Sequence, residues 1–169
     1  MKPKHSLPDT IQLAHGSGGQ MTRELLDQIV FNTFRNPYLE QKHDGAIVPL
    51  KGPVVISTDS FVVSPIFFRG GNIGELAVNG TVNDVAMCGA IPEFISLGFI
   101  IEEGLEMDQF LRVVESVKRA AEEAGVQVVT GDTKVVNKGH GDGLYINTTG
   151  IGLIPPGVDI APGNAQVGD

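Results

Sequence analysis

The segment spanning residues 108–124 constrains the fold most, because its apolar residues recur at helical spacing along its whole length. Those apolar residues are Phe110, Leu111, Val113, Val114, Val117, Ala120, Ala121 and Ala124. Gly125 follows at the position where a left-handed residue commonly ends a helix. A helix with a single apolar side buries that side against another layer of structure. The pattern therefore predicts an amphipathic helix that packs on a second layer.

The rest of the chain alternates between helical patterns and short apolar runs. Helical spacing runs from Leu25 to Phe34 and ends before Pro37. A further helix is predicted at 73–87, with Asn72 as its cap and Gly89 as its stop. Strands are predicted at 54–59 with an extension over 61–67, at 94–101, at 126–129 resuming at 135–136, and at 144–154.

This order of helix, strand, helix, strand, helix, strand and strand indicates an α+β fold. We expect a sheet of about four strands with three helices on one of its faces. The other face of the sheet would then be exposed to solvent. Pairing with a second copy of the chain in a homodimer is the simplest way to bury it.

The charge balance excludes several classes of function. Twelve basic and 20 acidic residues give a formal net charge of -8 without any basic run, so neither nucleic acid nor a membrane surface is an expected partner. An acidic protein that binds an acidic nucleotide needs a metal ion between them. Cys88 is the one cysteine, which excludes an internal disulfide and fits a reducing cytoplasm. We expect Cys88 to be buried at the end of a helix.

The length of 169 residues fits one domain with irregular ends. Residues 1–19 are polar and glycine-rich and are expected to form a flexible leader, without the pattern of a signal peptide. Residues 20–155 would form the globular domain. Residues 156–169 are rich in proline and glycine, and we expect them to begin a linker to a second domain that this chain lacks.

Three aspartates stand at similar places, each beside small or polar residues near an apolar run. They are Asp59, Asp84 and Asp132. Carboxylates at the ends of distant elements can converge on a divalent ion, and Mg²⁺ favours few carboxylates together with substrate oxygens. The alternative is that each aspartate only caps a helix or forms a turn. Asp84 favours metal binding most, because it lies inside a helical stretch where no cap is required.

Two further features could contact phosphate. Lys134 would project to the same side of an extended strand as Asp132, where it could hold a phosphate or form a surface ion pair. The loop His15, Gly16, Ser17, Gly18 and Gly19 precedes a helix, and its backbone N–H groups could cradle phosphate. The loop is neither a Walker A motif nor a dinucleotide fingerprint, and a flexible leader remains the alternative.

These motifs resemble those of the HypE family of hydrogenase maturation factors. The matching segments are 15–19, 57–60, 79–92, 130–136 and 147–152, and together they extend over nearly the whole chain. Segment 79–92 is shared with a superfamily that includes aminoimidazole ribonucleotide synthetase, selenophosphate synthetase and thiamine monophosphate kinase. Segments 15–19 and 132–136 favour the HypE family within it.

The resemblance implies a PurM-like N-terminal domain whose sheet pairs with its twin into a barrel across a homodimer. It implies an ATP-dependent carbamoyl dehydratase, which converts an S-carbamoyl group on its own C-terminal cysteine to a thiocyanate for the cyanide ligands of nickel–iron hydrogenases. ATP and Mg²⁺ would be the cofactors. The carbamoyltransferase HypF and the HypC–HypD complex would be the partners.

The resemblance also implies roles for individual residues. Asp59, Asp84 and Asp132 would bind metal, Asn83, Thr133 and Lys134 would contact the nucleotide, and the loop from His15 to Gly19 would close over the phosphates. Asp84 and Lys134 would support phosphoryl transfer. Residues 1–169 do not contain the family's substrate cysteine, so the chain alone is expected to be inactive. A small-molecule kinase, an amidine-forming ligase and a dimerisation module without nucleotide binding remain alternatives.

Overall fold

The computed structural model describes residues 7–168, and its centre is a four-stranded mixed sheet. Its strands are β1 (Val54–Phe61), β4 (Ile91–Glu102), β5 (Gln127–Val136) and β6 (Leu144–Leu153), and a separate short hairpin consists of β2 (Phe67–Phe68) and β3 (Gly71–Asn72). In the sheet the strands lie in the order β1-β6-β4-β5. Strands β4 and β5 run parallel, and the other neighbours run antiparallel.

Three helices complete the fold in the described residues, as the sequence predicts. They are α1 (Gln20–Leu25), which continues in π-helical geometry over Leu26–Phe31, α2 (Ile73–Met87) and α3 (Met107–Ala124). Short 3-10 turns lie at Leu13–Gly16, Leu39–Gln41 and Pro162–Asn164. The predicted extension of β1 over 61–67 is wrong, because the chain turns away after Phe61 and forms the β2–β3 hairpin.

Both predicted helix boundaries of α2 and the end of α3 are confirmed. The Asn72 side chain accepts hydrogen bonds from the backbone N–H groups of Gly74 and Glu75, which satisfies two donors of the first turn. Helix α2 ends just before Gly89, which has a φ of 80°. Helix α3 ends at Gly125, which has a φ of 71°, and a left-handed glycine at this position is favourable because it has no Cβ.

The helices pack on one face of the sheet and form the core with it. Ile95, Leu97, Phe99 and Ile101 alternate along β4 toward this face, and all four are buried. The ring of Phe99 meets that of Phe110 from α3 edge to face, with ring centroids 5.2 Å apart. The expectation of helices on one face is therefore confirmed.

The opposite face of the sheet is open and carries exposed apolar residues. Val54, Ile56, Ile91 and Ile100 alternate onto this face and are 41–68% exposed. At its other end the face is polar, where Asn147 Nδ2 donates a hydrogen bond of 2.9 Å to Ser60 Oγ. An apolar area of this kind on a sheet is typical of a surface that another molecule covers.

The segment before α1 packs against the domain. Residues 1–6 of the expected leader lie outside the described residues. Leu7 and Ile11 belong to the hydrophobic core, and Ile11 exchanges two backbone hydrogen bonds of 2.8 Å with Gly104 and Leu105. The core therefore begins well before residue 20, while mobility of the glycine-rich loop stays a prediction.

Cys88 differs from its expected environment. It follows the last residue of α2 and is exposed, whereas the sequence led us to expect burial. The reason is that the chain turns at Gly89 and carries Cys88 on the outer side of the helix end, next to the exposed Met87. No helix within residues 7–168 has the length and apolar character needed to cross a membrane.

Candidate functional site

Two of the three candidate metal ligands lie at the corner between β1 and α2. Ser57 Oγ donates a hydrogen bond of 3.2 Å to Asp84 Oδ2 on the exposed side of α2. Asp59 is two residues further along β1 and therefore projects to the same face as Ser57. One Asp59 oxygen, Oδ1, accepts a hydrogen bond of 2.8 Å from the backbone N–H of Ser60. We call Asp59 and Asp84 with Ser57 the β1–α2 corner.

A glycine makes this corner possible. A Cβ on Gly80 would lie 2.9 Å from the ring of Phe61 and 4.0 Å from Asp59 Oδ2. A larger residue at this position would have to displace the Phe61 ring or push α2 away from β1. Because Asp84 lies one helical turn after Gly80, the close approach of helix and strand brings both carboxylates to the same groove.

The third candidate ligand, Asp132, forms an ion pair on β5. Lys134 Nζ lies 2.7 Å from the Asp132 carboxylate, and both side chains are more than half exposed. The hydrogen bond from Lys134 is the main cause that lowers the pKa of Asp132, and the backbone N–H of Thr133 acts in the same direction. The surface ion pair that the sequence left open is thus present.

The chain does not bring all three aspartates together. Strands β1 and β5 are the two edges of the sheet, with β6 and β4 between them. Three strand spacings of about 4.8 Å separate the edges by about 14 Å, whereas Mg²⁺ ligands lie at about 2.1 Å from the ion. Among residues 7–168 no group of three or more His, Cys, Asp or Glu side chains could hold a metal ion. The expected convergence of Asp59, Asp84 and Asp132 therefore does not occur within one chain.

The glycine loop lies beside β5, at the same edge as Asp132 and Lys134. A Cβ on Gly16 would lie only 2.4 Å from the backbone nitrogen of Val135, so only glycine fits against the strand at this distance. The N–H of Gly18 donates a hydrogen bond of 3.0 Å to Thr22 Oγ1, and Ser17 Oγ donates one of 3.0 Å to the carbonyl of Ala14. The loop and the strand thus form one continuous surface.

His15 differs from the other loop residues because its side chain points into the protein. Its side chain is fully buried, and Nδ1 accepts a hydrogen bond of 2.9 Å from the backbone N–H of Gln12. Burial lowers the His15 pKa, against the opposing effect of the nearby Glu24 carboxylate. In this conformation the imidazole does not face the surface that a nucleotide would reach.

A cleft of about 190 Å³ opens between this loop, the first helix and strands β4 and β5. Its apolar walls include Leu26, Val30 and Phe31 from the π-helical turn, and Leu97 and Phe99 from β4. Gly16, Gly18, Thr22 and residues 130–134 also line it, so β5 adjoins the loop here. Contact of Thr133 and Lys134 with a nucleotide stays a prediction. Clefts that bury whole small ligands measure about 300–1,000 Å³, so this cleft accommodates part of a nucleotide at most.

The two groups of residues offer different chemistry. The β1–α2 corner presents two carboxylates and fits Mg²⁺, which needs few protein ligands when substrate oxygens and water complete its shell. The exposed Asn83 precedes Asp84 on the outer side of α2 and adjoins this corner. At the β5 edge the glycine loop and an apolar cleft lie on the helix side of the sheet, whereas Lys134, opposite Ile100, lies on the open face. Backbone N–H groups and a lysine suit a phosphate, and an apolar cleft suits an organic ring.

Sequence reasoning missed two contributors. Ser57 was part of a motif but not a candidate, although strand alternation alone places it on the face of Asp59. The π-helical turn Leu26–Phe31 was expected to be ordinary helix, and no sequence pattern distinguishes the two geometries. π-Helical turns often occur at functional sites, and this one lines the cleft.

Comparisons with known proteins agree with this architecture. Residues 42–154 match the family model "AIR synthase related protein, N-terminal domain". The chain is 50% identical over 161 residues to "Carbamoyl dehydratase HypE" of Azotobacter vinelandii, which covers 95% of this chain and 47% of the relative. The chain thus spans about half the length of the curated relatives it matches.

Solved structures show the same relationship. A crystal structure of the hydrogenase maturation protein HypE in complex with ATP superposes with a TM-score of 0.85 at 55% identity, over 86% of this chain and 44% of that one. A chain of a crystal structure of the HypE–HypF complex superposes with a TM-score of 0.63 at 47% identity, over 80% of this chain and 44% of that one.

Proposed function

The chain belongs to the family of AIR synthase related proteins, as their N-terminal domain, and on that premise we propose that it is the ATP-binding and dimerising half of a HypE-type carbamoyl dehydratase. The complete enzyme would use ATP to dehydrate an S-carbamoyl group on a cysteine to a thiocyanate. The observation that carries the proposal is the β1–α2 corner, which holds two carboxylates in a chain 55% identical to an ATP-bound HypE. A partner similar to HypF is supported by the HypE–HypF structure, and a HypC–HypD partner stays a prediction.

We assign the metal to the corner. When bound there, Mg²⁺ would neutralise phosphate charge and orient the nucleotide. Asp59 and Asp84 would hold it, and the Ser57 hydroxyl would keep the Asp84 carboxylate turned toward β1. The glycine loop and Lys134 would supply N–H groups and a positive charge to phosphate oxygens.

The position of Asp132 links metal binding to dimerisation. Because about 14 Å separates the two sheet edges, Asp132 can reach an ion held by Asp59 and Asp84 only from another copy of the chain. We therefore propose that the partner subunit's Asp132 completes the site. The open face, with Ile56 and Ile91 exposed, is the surface we assign to the dimer, in which two sheets would form a barrel.

Dehydration by a chimera tests the proposal. Residues 1–168 would replace the matching half of the Azotobacter vinelandii relative, and the S-carbamoylated chimera would be incubated with Mg-ATP. We expect mass spectrometry to show the loss of one water per chain, and the Asp84→Asn chimera to lose this activity. A folded, dimeric chimera that binds ATP but leaves the carbamoyl group intact would contradict the assignment to this reaction.

A further inference from the structure

The imidazole of His15 is a buried polar group of the glycine loop with an unusual set of contacts. Nδ1 accepts the hydrogen bond from the Gln12 N–H, so in the neutral ring the proton is on Nε2. Nε2 is buried and has no hydrogen-bond partner within residues 7–168. The side chain thus provides an acceptor for the N–H of Gln12, the residue that caps the 3-10 turn Leu13–Gly16, and it needs to be neutral to do so.

The glycine loop depends on contacts of this kind because it has few side chains of its own. Gly16 is pressed against the Val135 backbone, and the Gly18 N–H donates a hydrogen bond to the Thr22 hydroxyl. His15 immediately precedes Gly16 and is the fully buried residue of the 3-10 turn Leu13–Gly16. A change in the position of His15 would therefore move Gly16 away from β5.

Protonation would remove the contact that His15 makes. A charged imidazole has two donors and no acceptor, so it cannot accept from the Gln12 N–H, and its charge would be buried. The turn packs against α1 and β5. Helix α1 contributes Glu24, which favours the charged ring, while Gly131, Thr133 and Val135 of β5 face the helices and do not titrate at these pH values.

We infer that His15 is a positioning residue, whose neutral imidazole holds the loop Gly16–Gly19 against β5, and that its protonation releases the loop. The role in nucleotide binding rests on the proposed function, but the anchoring of the loop does not. His15 would then act on phosphates through the loop and not by direct contact. The arrangement makes the loop conformation depend on pH.

The direction of this dependence follows from burial. The His15 pKa is lower in the folded chain than its usual value of about 6.5. The unfolded or released state therefore binds more protons below about pH 6.5 than the anchored state does. The anchoring is fully present above that pH and is lost as the pH falls through the lowered pKa.

Two matched variants test the inference in the nucleotide-free chain. His15→Gln keeps an acceptor, because a glutamine at the third position of a turn can reach the N–H of its first residue, and it does not titrate. His15→Phe keeps the bulk and removes the acceptor. The measurement is hydrogen exchange of amides 16–19 between about pH 7.5 and pH 5, corrected for intrinsic exchange.

For the wild type we expect exchange of these amides to rise by about tenfold or more below the histidine pKa. The His15→Gln chain should stay protected throughout, and His15→Phe should be unprotected at every pH. Imidazole ¹⁵N shifts should show the Nε2–H tautomer at neutral pH. Protection in the wild type that does not change with pH, or an Nδ1–H tautomer, would overturn the inference even if His15→Phe does not fold.

Titration with Mg-ATP at the same pH values separates this inference from the proposed function. If both hold, affinity should fall with loop protection in the wild type and stay constant in His15→Gln. Loop release at low pH in a chain that binds no Mg-ATP at any pH would leave His15 as the loop anchor and refute the nucleotide site.

Discussion

Ser57 on β1 donates a hydrogen bond of 3.2 Å to Asp84 on α2, and this contact joins the edge strand of the sheet to the outer side of the helix. Since Asp59 follows on the same face of β1, the contact places two carboxylates where a divalent ion could bind. The contact forms because Gly80 lets the helix come close to the strand.

Replacing Gly16 by alanine should destabilise the chain. The new Cβ would lie 2.4 Å from the Val135 nitrogen, and a backbone atom cannot move aside as a flexible side chain can. We expect a loss of about 1–3 kcal/mol, which lowers Tm by about 2–4 °C for each kcal/mol. Thermal unfolding of Gly16→Ala against Gly45→Ala, whose Cβ would meet nothing within 4 Å, checks this. Equal Tm values would contradict the close approach.

The open sheet face should carry the dimer interface. Ile56 is 68% exposed there, and a lysine in its place would put a charge into the surface we expect a second copy to cover. Sedimentation should show a dimer for the wild type and a monomer for Ile56→Lys. Ile47→Lys is the control, because Ile47 is 75% exposed in a loop. A monomeric wild type, or a dimeric Ile56→Lys chain, would contradict the assignment.

Lys134 should control the charge of Asp132. Its hydrogen bond is the main cause of the lowered Asp132 pKa, so Lys134→Met should raise that pKa toward its usual value. The ion pair stabilises the fold above the usual aspartate pKa, and this contribution is lost as the pH falls through the lowered pKa. Carboxyl ¹³C titration of Lys134→Met, with the exposed Lys138→Met as control, measures the shift. An unchanged Asp132 pKa would show that the ion pair does not form in solution.

Mixed dimers should reveal whether two chains share one metal site. Asp84→Asn and Asp132→Asn homodimers should each bind Mg-ATP weakly, because each lacks one proposed ligand at both sites. A dimer with one chain of each kind keeps one intact site and should regain about half of the wild-type binding capacity. Tandem affinity tags allow its purification. Mixed dimers no better than either parent would contradict a site completed by the partner.

The regular elements could be predicted from the sequence because their signals are local. Helix α3 follows from its apolar period, and the alternation of Tyr145, Asn147 and Thr149 against Ile146 and Thr148 marks the two faces of β6. The separation of Asp132 from Asp59 and Asp84 could not be predicted in this way. It depends on the strand order, which places β1 and β5 at opposite edges, and strand order arises from long-range packing.

The glycine loop shows the same limit. Its composition of three glycines in five residues predicts freedom of the backbone and gives no sign that its first residue is buried. His15 is buried because Ile11, in the preceding segment, pairs with residues 104–105 and so holds the turn Leu13–Gly16 against the domain. Similarly, Cys88 is exposed because the chain reverses at Gly89, a tertiary feature that the apolar helix pattern does not contain.

Calorimetric titration of the chain with ATP, with and without Mg²⁺, tests the central claim most directly. It would be carried out on the wild type, on Asp84→Asn and on Asp44→Asn, an exposed carboxylate of a loop that controls for net charge. We expect binding that requires Mg²⁺, an affinity about tenfold or more lower for Asp84→Asn, and wild-type behaviour for Asp44→Asn. We also expect negligible ATP hydrolysis, because no S-carbamoyl group is supplied in this titration. ATP affinity that is the same for wild type and Asp84→Asn, with and without Mg²⁺, would contradict the account.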